Sequence, residues 1–304
     1  SLTVSDGSIG LILNDGSTGS ADGLSIMSTS TAIISRGMTS VGVDSLTVDD
    51  VSLLFDGVSS DGAHLSNVSG EVDLVAIGSD LLDVTLSDLT LNGTGASGWA
   101  LTLATSGQFT LRDSTLSGFS QGLRLSGIGV QTFDAVDLTT SGTLLDATGS
   151  GRLDVSDSQF SSGQEFGHVS SLDSFWTDST FTGGDSSNGL ELIDGKHVFT
   201  SVTLSRAFLG SDSTSYGLAV TWADVESHGL TLEGWADGLQ CRTDCSITGT
   251  SLTSQLGGSL PRSRGLLDAG SRGLASLAPG NSHCGAHPVY GNLHLGTCTP
   301  SRLQ

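Results

Sequence analysis

Lysine is almost missing from this chain: Lys196 stands alone among 304 residues, and ten arginines bring the bases to 11 against 32 acids. The resulting net charge of −21 repels polyanions, which excludes nucleic acid as a partner on electrostatic grounds. Proline is as scarce, and its four copies, Pro261, Pro279, Pro288 and Pro300, all lie near the C-terminal end. The four cysteines, Cys241, Cys245, Cys284 and Cys298, are confined to the last quarter. Nowhere do about 18 apolar residues run together, so no membrane span is expected. Phosphate-binding loops and zinc-protease motifs are absent from the sequence. The strong helix formers other than leucine are few, which leaves little from which to build helices.

What is there is turn chemistry and alternation. Forty-three glycines, with abundant Ser, Thr and Asp, break up short apolar stretches, and a hydrophobic content of 36% still suffices for a packed core. One pattern returns: apolar, any, apolar, any, Asp, any, any, apolar. It reads in full at Leu46-Val48-Asp50-Leu53, Val84-Leu86-Asp88-Leu91, Phe109-Leu111-Asp113-Leu116 and Leu153-Val155-Asp157-Phe160. Partial copies end at Leu138, Phe181, Leu204 and Leu252. The spacing is about 22 residues, one coil of a solenoid. Within a coil, period-two alternation turns one apolar set inward, and the change of phase at Asp marks a bend between short strands. Stacked coils predict an internal ladder of Leu53, Leu91, Leu116, Leu138, Phe160, Phe181 and Leu204, in a rod roughly 50–60 Å long.

This repeat resembles that of the right-handed parallel β-helix proteins of the pectate-lyase-like superfamily, at the level of architecture, over residues from about 20 to 255. The resemblance implies an all-β fold: a β-helix over 1–255, followed by an irregular Cys-containing cap or clasp over 256–304. It also implies a choice of function, because the superfamily holds polysaccharide lyases and hydrolases as well as tailspikes and large cell-surface proteins. Of the hydrolases' Asn-Thr-Asp, Asp-Asp and Gly-His-Gly signals, only Asp49-Asp50 is present, and Ser227-His228-Gly229 departs from the last. The expected function is therefore a non-catalytic structural or adhesive module of a cell surface, filament or virion. A carbohydrate-active lyase or hydrolase is the alternative.

Candidate chemistry is concentrated in Trp222-Ala223-Asp224-Val225-Glu226-Ser227-His228, where alternation places Asp224, Glu226 and His228 on one face. Two carboxylates and an imidazole could carry acid–base work or hold a metal, although a solvated outer face has the same composition. Asp50, Asp88, Asp113, Asp157 and Asp178 are read as one corner ladder, which either caps its own turns or takes calcium; no other cofactor is expected. Trp99 and Trp176 fall in inward phase, and Trp235 replaces Phe119 at a corner. The even cysteine count suits an oxidising, extracellular or cell-surface setting with Cys241–Cys245 and Cys284–Cys298 bridges. A zinc site of Cys284, Cys298, His283, His287 and His294 is the competing reading. Asn67-Val68-Ser69 and Asn92-Gly93-Thr94 are glycosylation acceptors in form.

Residues 1–253 carry a net −24 and residues 254–304 a net +3. That split suits head-to-tail contact between copies, contact with an upstream domain, or a tail folded onto its own last coil; a surface polysaccharide is the remaining candidate partner. The first residue, Ser1, with no Met or leader before it, reads as the start of a mature or excised piece.

Overall fold

In the computed structural model, residues 2–95, 98–184, 188–206, 215–235, 237–256, 274–277 and 293–294 are described. They form no helix, and the chain divides into two compact units, Ser1–Ser161 and Ser162–Gln304.

The first unit is built from β1 (Leu2–Ser5), β2 (Ile9–Leu13), β3 (Ser17–Gly93), β4 (Trp99–Phe119), β5 (Gln121–Gly127), β6 (Val130–Thr140), β7 (Leu145–Thr148), β8 (Arg152–Ser156) and β9 (Gln159–Ser162). Extended backbone runs through the bends of β3, so that one uninterrupted stretch covers several coils. Each coil pairs in parallel with the next. Leu2 faces Leu24 and Gln108 faces Val130, an offset of 22, whereas Ala76 faces Leu101, an offset of 25. The three additional residues enter between Thr94, whose N–H still bonds Val72 one regular coil back, and Trp99.

The second unit contains β10 (Glu165–Ser170), β11 (Asp173–Thr177), β12 (Thr180–Gly183), β13 (Asn188–Arg206), β14 (Tyr216–Trp235), β15 (Asp237–Thr243) and β16 (Ser246–Leu256). Its parallel offsets are 23 for Ser174 with His197, 28 for Leu190 with Leu218 and 22 for Asp224 with Ser246. Leu274–Leu277 continues the stack on Ser246–Gly249, and Leu293–His294 lies antiparallel to Thr253–Ser254. The rest of the segment beyond 256, with Cys284, Cys298, His283, His287 and the side chain of His294, lies outside the described residues.

Both units are parallel β-solenoids, and their corners show why. Left-handed backbone recurs at one corner at Ser45, Asn67, Asp88, Asp113, Ala135 and Asp157 in the first unit, and at Asp178, Ser201 and Gly229 in the second. Asp and Asn tolerate this conformation better than other side chains, because their short polar groups bond locally. Where Asp is followed by Ser, the serine turns inward. Ser114 and Ser158 each donate to the carbonyl two residues earlier, at 2.6 Å, and each accepts a backbone N–H from the coil before, from Leu89 and Val136 at 3.1 Å. A second corner comprises Gly37, Ser59, Asp80, Gly127 and Gly149, then Ser171, Asp194, Trp222 and Asp244. At Gly127 (φ 110°) a Cβ would sit 2.1 Å from the Thr105 carbonyl oxygen, so only glycine lets the two coils close there.

Two parts of the predicted ladder need correction. Ser66 and Asn67 bond Asp44, at 2.8 and 2.5 Å, and Ser59 bonds Asp80 at 3.2 Å, which aligns Ser45, Asn67 and Asp88 in one corner. Asp50 belongs to a different corner five residues on, and Leu53 is only half-buried. Apolar-any-apolar-any-Asp occurs at both corners, so the motif alone could not distinguish them. The remaining ladder residues, Leu91, Leu116, Leu138, Phe160, Phe181 and Leu204, are all buried, and Leu91, Leu116 and Leu138 stack in register. Trp176 and Trp235 are buried as expected, but Trp99 is half-buried under the Arg124 guanidinium, 5.6 Å from the ring centroid.

Two substitutions test this arrangement. Leu138→Ala, in the middle of the ladder, is expected to cost about 2–5 kcal/mol in urea unfolding. Ala135 alone in its corner column has neither a polar side chain nor glycine's freedom, so Ala135→Asn is expected to stabilise by up to about 1 kcal/mol.

Candidate functional site

Alternation in β14 places Asp224, Glu226 and His228 together on the outer face, while Ala223, Val225 and Ser227 fill the interior. Register sets Lys196 against Asp224 and Val198 against Glu226 on the neighbouring coil. The His228 Nε2–H donates to Glu226 Oε1 at 2.8 Å, and Lys196 Nζ lies 3.2 Å from Glu226 Oε2. The hydrogen bond from His228, and then the Lys196 ammonium, hold the Glu226 carboxyl below the usual carboxylate range. Glu226 is thus an ionised, doubly engaged acceptor. As a general base it is weakened, since catalytic bases work best with a pKa near the operating pH, and it has no proton to give as an acid.

Beside this face lies a second charged pair. Arg242 bonds Glu191 and stands over the Tyr216 ring, 4.9 Å from its centroid. Burial, and then the Glu191 carboxylate, push the Tyr216 phenol above its usual range. At the head of the Asp224 face is Trp222, 59% exposed and in left-handed backbone at φ 53°.

Behind the face is a group whose importance sequence reasoning missed. His197 is fully buried, its Nε2 3.0 Å from the Asp194 carbonyl oxygen and its Nδ1 2.7 Å from Ser174 Oγ, which also takes the Trp176 indole N–H at 2.7 Å. A carbonyl can only accept and an indole can only donate, so the order is fixed: Trp176 to Ser174, Ser174 to Nδ1, Nε2–H to Asp194. Protonating Nδ1 would leave the Ser174 hydroxyl proton without this acceptor. Burial pulls the imidazole down to about 4, against the raising effect of the Asp194 carbonyl and the Asp173, Asp194 and Asp224 carboxylates. The signal was available in the alternation of Lys196-His197-Val198-Phe199, which turns His197 inward with Phe199. In the first unit Gln131 fills the equivalent slot, four residues before its corner, and its Nε2 reaches the Ser126 carbonyl and Thr105 Oγ1, both at 2.8 Å.

The other candidates are dispersed. Asp88, Asp113, Asp157 and Asp178 are exposed at their corners, and among the described residues no three His, Cys, Asp or Glu side chains converge as a metal would require. Asn67 is exposed but donates to Asp44, and Asn92 is exposed and accepts from Ser117 Oγ at 3.2 Å. Cys241 and Cys245 are buried side by side across the corner at Asp244, with Cα atoms 5.9 Å apart, a disulfide-capable pair.

These features define a parallel β-solenoid with a mixed acid–base outer face in its second unit. Compared with known proteins, the chain matches no family model, no curated protein and no solved structure.

The buried imidazole gives a pH prediction. An unfolded histidine titrates near 6.5 and the folded one near 4, so the unfolded chain takes up the proton first as pH falls. Stability is complete above about pH 6.5 and is lost on acidification towards 4, by about 3 kcal/mol in all and about 2 kcal/mol between pH 7 and 5. In His197→Gln, which copies the residue at 131, that increment is expected to vanish. Equal pH dependence of the urea midpoints in both proteins would exclude His197 as the group responsible.

Proposed function

We propose that this protein is a non-catalytic structural or adhesive β-solenoid module that works outside the cell, on a cell surface, in a filament or on a virion. The observation that carries the reading is the state of Glu226, which is engaged from within its own face by His228 at 2.8 Å and Lys196 at 3.2 Å. Such a face offers a stable polar exterior rather than a proton donor or acceptor poised for chemistry. The disulfide-capable Cys241–Cys245 pair and the exposed acceptor asparagines Asn67 and Asn92 suit an oxidising, glycosylating environment.

The alternative, a carbohydrate-active lyase or hydrolase, is favoured by one observation, the exposed indole of Trp222 two residues from Asp224. A panel of neutral and anionic polysaccharides separates the two. No release of reducing ends or unsaturated products is expected. Release that disappears in Asp224→Ala or Glu226→Ala would establish the enzyme instead.

A further inference from the structure

One corner of the second unit is occupied by the residue least suited to it. Ser171, Asp194 and Asp244 take the same corner place at φ 60°, 60° and 39°, and all are short polar residues of the kind that left-handed turns accept. Trp222 takes φ 53° there and exposes 59% of its surface. Both facts are unfavourable, since a bulky side chain strains left-handed backbone and an exposed indole forgoes the gain of burial. Trp176 and Trp235 are buried, and Trp99 is half-covered by Arg124. Only at 222 is an indole presented to solvent from a strained position.

Its surroundings carry one sign of charge. Gly195 pairs with Ala223 and Asp224 with Ser246, so Asp194 and Asp244 flank Trp222 from the coils on either side, about 4.8 Å away along the stack. Asp224 follows two residues on, and all three carboxylates are exposed. The local cations are committed to other acids, Lys196 to Glu226 and Arg242 to Glu191. Among the described residues, none pairs with Asp194, Asp224 or Asp244.

We infer that Trp222 is a docking platform for an arginine of a partner polypeptide, its guanidinium stacked on the indole and its charge met by Asp194, Asp224 and Asp244. A cation over an indole is attracted by the ring's electrostatic field, and the flanking carboxylates add to that attraction. Arginine fits better than lysine, because a planar, weakly hydrated guanidinium stacks flat and still presents its edge N–H groups to carboxylates. A neutral sugar would use the indole but would leave the excess negative charge unanswered. The assignment rests on this corner alone, so it stands or falls separately from the structural reading of the module.

The test follows the indole N–H resonance of Trp222 in ¹H–¹⁵N spectra of the full chain, identified by its loss in Trp222→Ser. The probes are acetyl-Gly-Arg-Gly-amide and the same peptide with citrulline, which keeps the shape and removes the charge. The arginine peptide is expected to shift the resonance saturably, with the citrulline peptide weaker by about tenfold. Asp194→Asn and Asp244→Asn should each weaken binding severalfold, and added salt should weaken it further. Trp222→Ser installs the residue already present at 171, so it is expected to fold, to melt no lower than the parent and to lose the binding, read from backbone amides of the same corner. Equal affinity for the two peptides would overturn the assignment. So would full binding by folded Trp222→Ser, by Asp194→Asn and by Asp244→Asn, or a resonance that answers a neutral hexose oligomer and not the arginine peptide.

Discussion

Everything in this protein depends on coils closing upon one another in register, backbone N–H to backbone C=O, with each corner set above the last. A corner out of place would break the parallel ladder on both sides of it and turn an inward set of side chains to solvent. The chain therefore holds its corners by local chemistry: Asp or Asn in left-handed backbone, Ser114 and Ser158 substituting their hydroxyls for missing backbone partners, Gly127 where two coils meet too closely for a Cβ. The two largest length variations are admitted at one place in the coil. The additional residues enter between Thr94 and Trp99 in the first unit and between Arg206 and Tyr216 in the second, after which register resumes.

The same constraint explains the polar groups inside. Gln131 and His197 occupy an inward slot just past a corner, and each binds a corner carbonyl that the ladder leaves over. Burying them costs desolvation, which hydrogen bonds offset. On the outside, Ser66, Ser106 and Ser156 reach the carboxylates Asp44, Asp80 and Asp134 of the preceding coil, so part of the acidic surface is tied from coil to coil. Asp44 is held below the usual carboxylate range by Asn67 and then Ser66, evidence that such rungs favour the charged form.

Period, strand direction and most of the inward ladder were legible in the sequence because alternation and turn residues report local backbone directly, coil after coil. Asp50 and Leu53 were misplaced for a physical reason: two corners five residues apart use the same polar chemistry, and only bonds from one coil to the next, such as Asn67 to Asp44, tell them apart. The outer face of Asp224, Glu226 and His228 was legible from parity alone. Its partner Lys196 was not, since it lies 30 residues from Glu226 and arrives through a coil of 28 rather than 22. Trp222 could be assigned to that face, but not its left-handed backbone, because no local rule places tryptophan in a conformation that its own side chain disfavours.

Placement of the largest length changes in a single segment of the coil has a genetic consequence. Gain or loss of a few codons there leaves every strand pair intact, whereas one codon added between Asp83 and Leu91, where pairing is continuous, would shift the register of the following strand. Duplication of an entire coil, about 22 codons, brings its own corners and its own ladder rung. Such a gene lengthens most readily by whole coils or in one loop, and single-residue steps elsewhere are taken up as local breaks in register, as between Val220 and Thr221 and between Ser227 and His228.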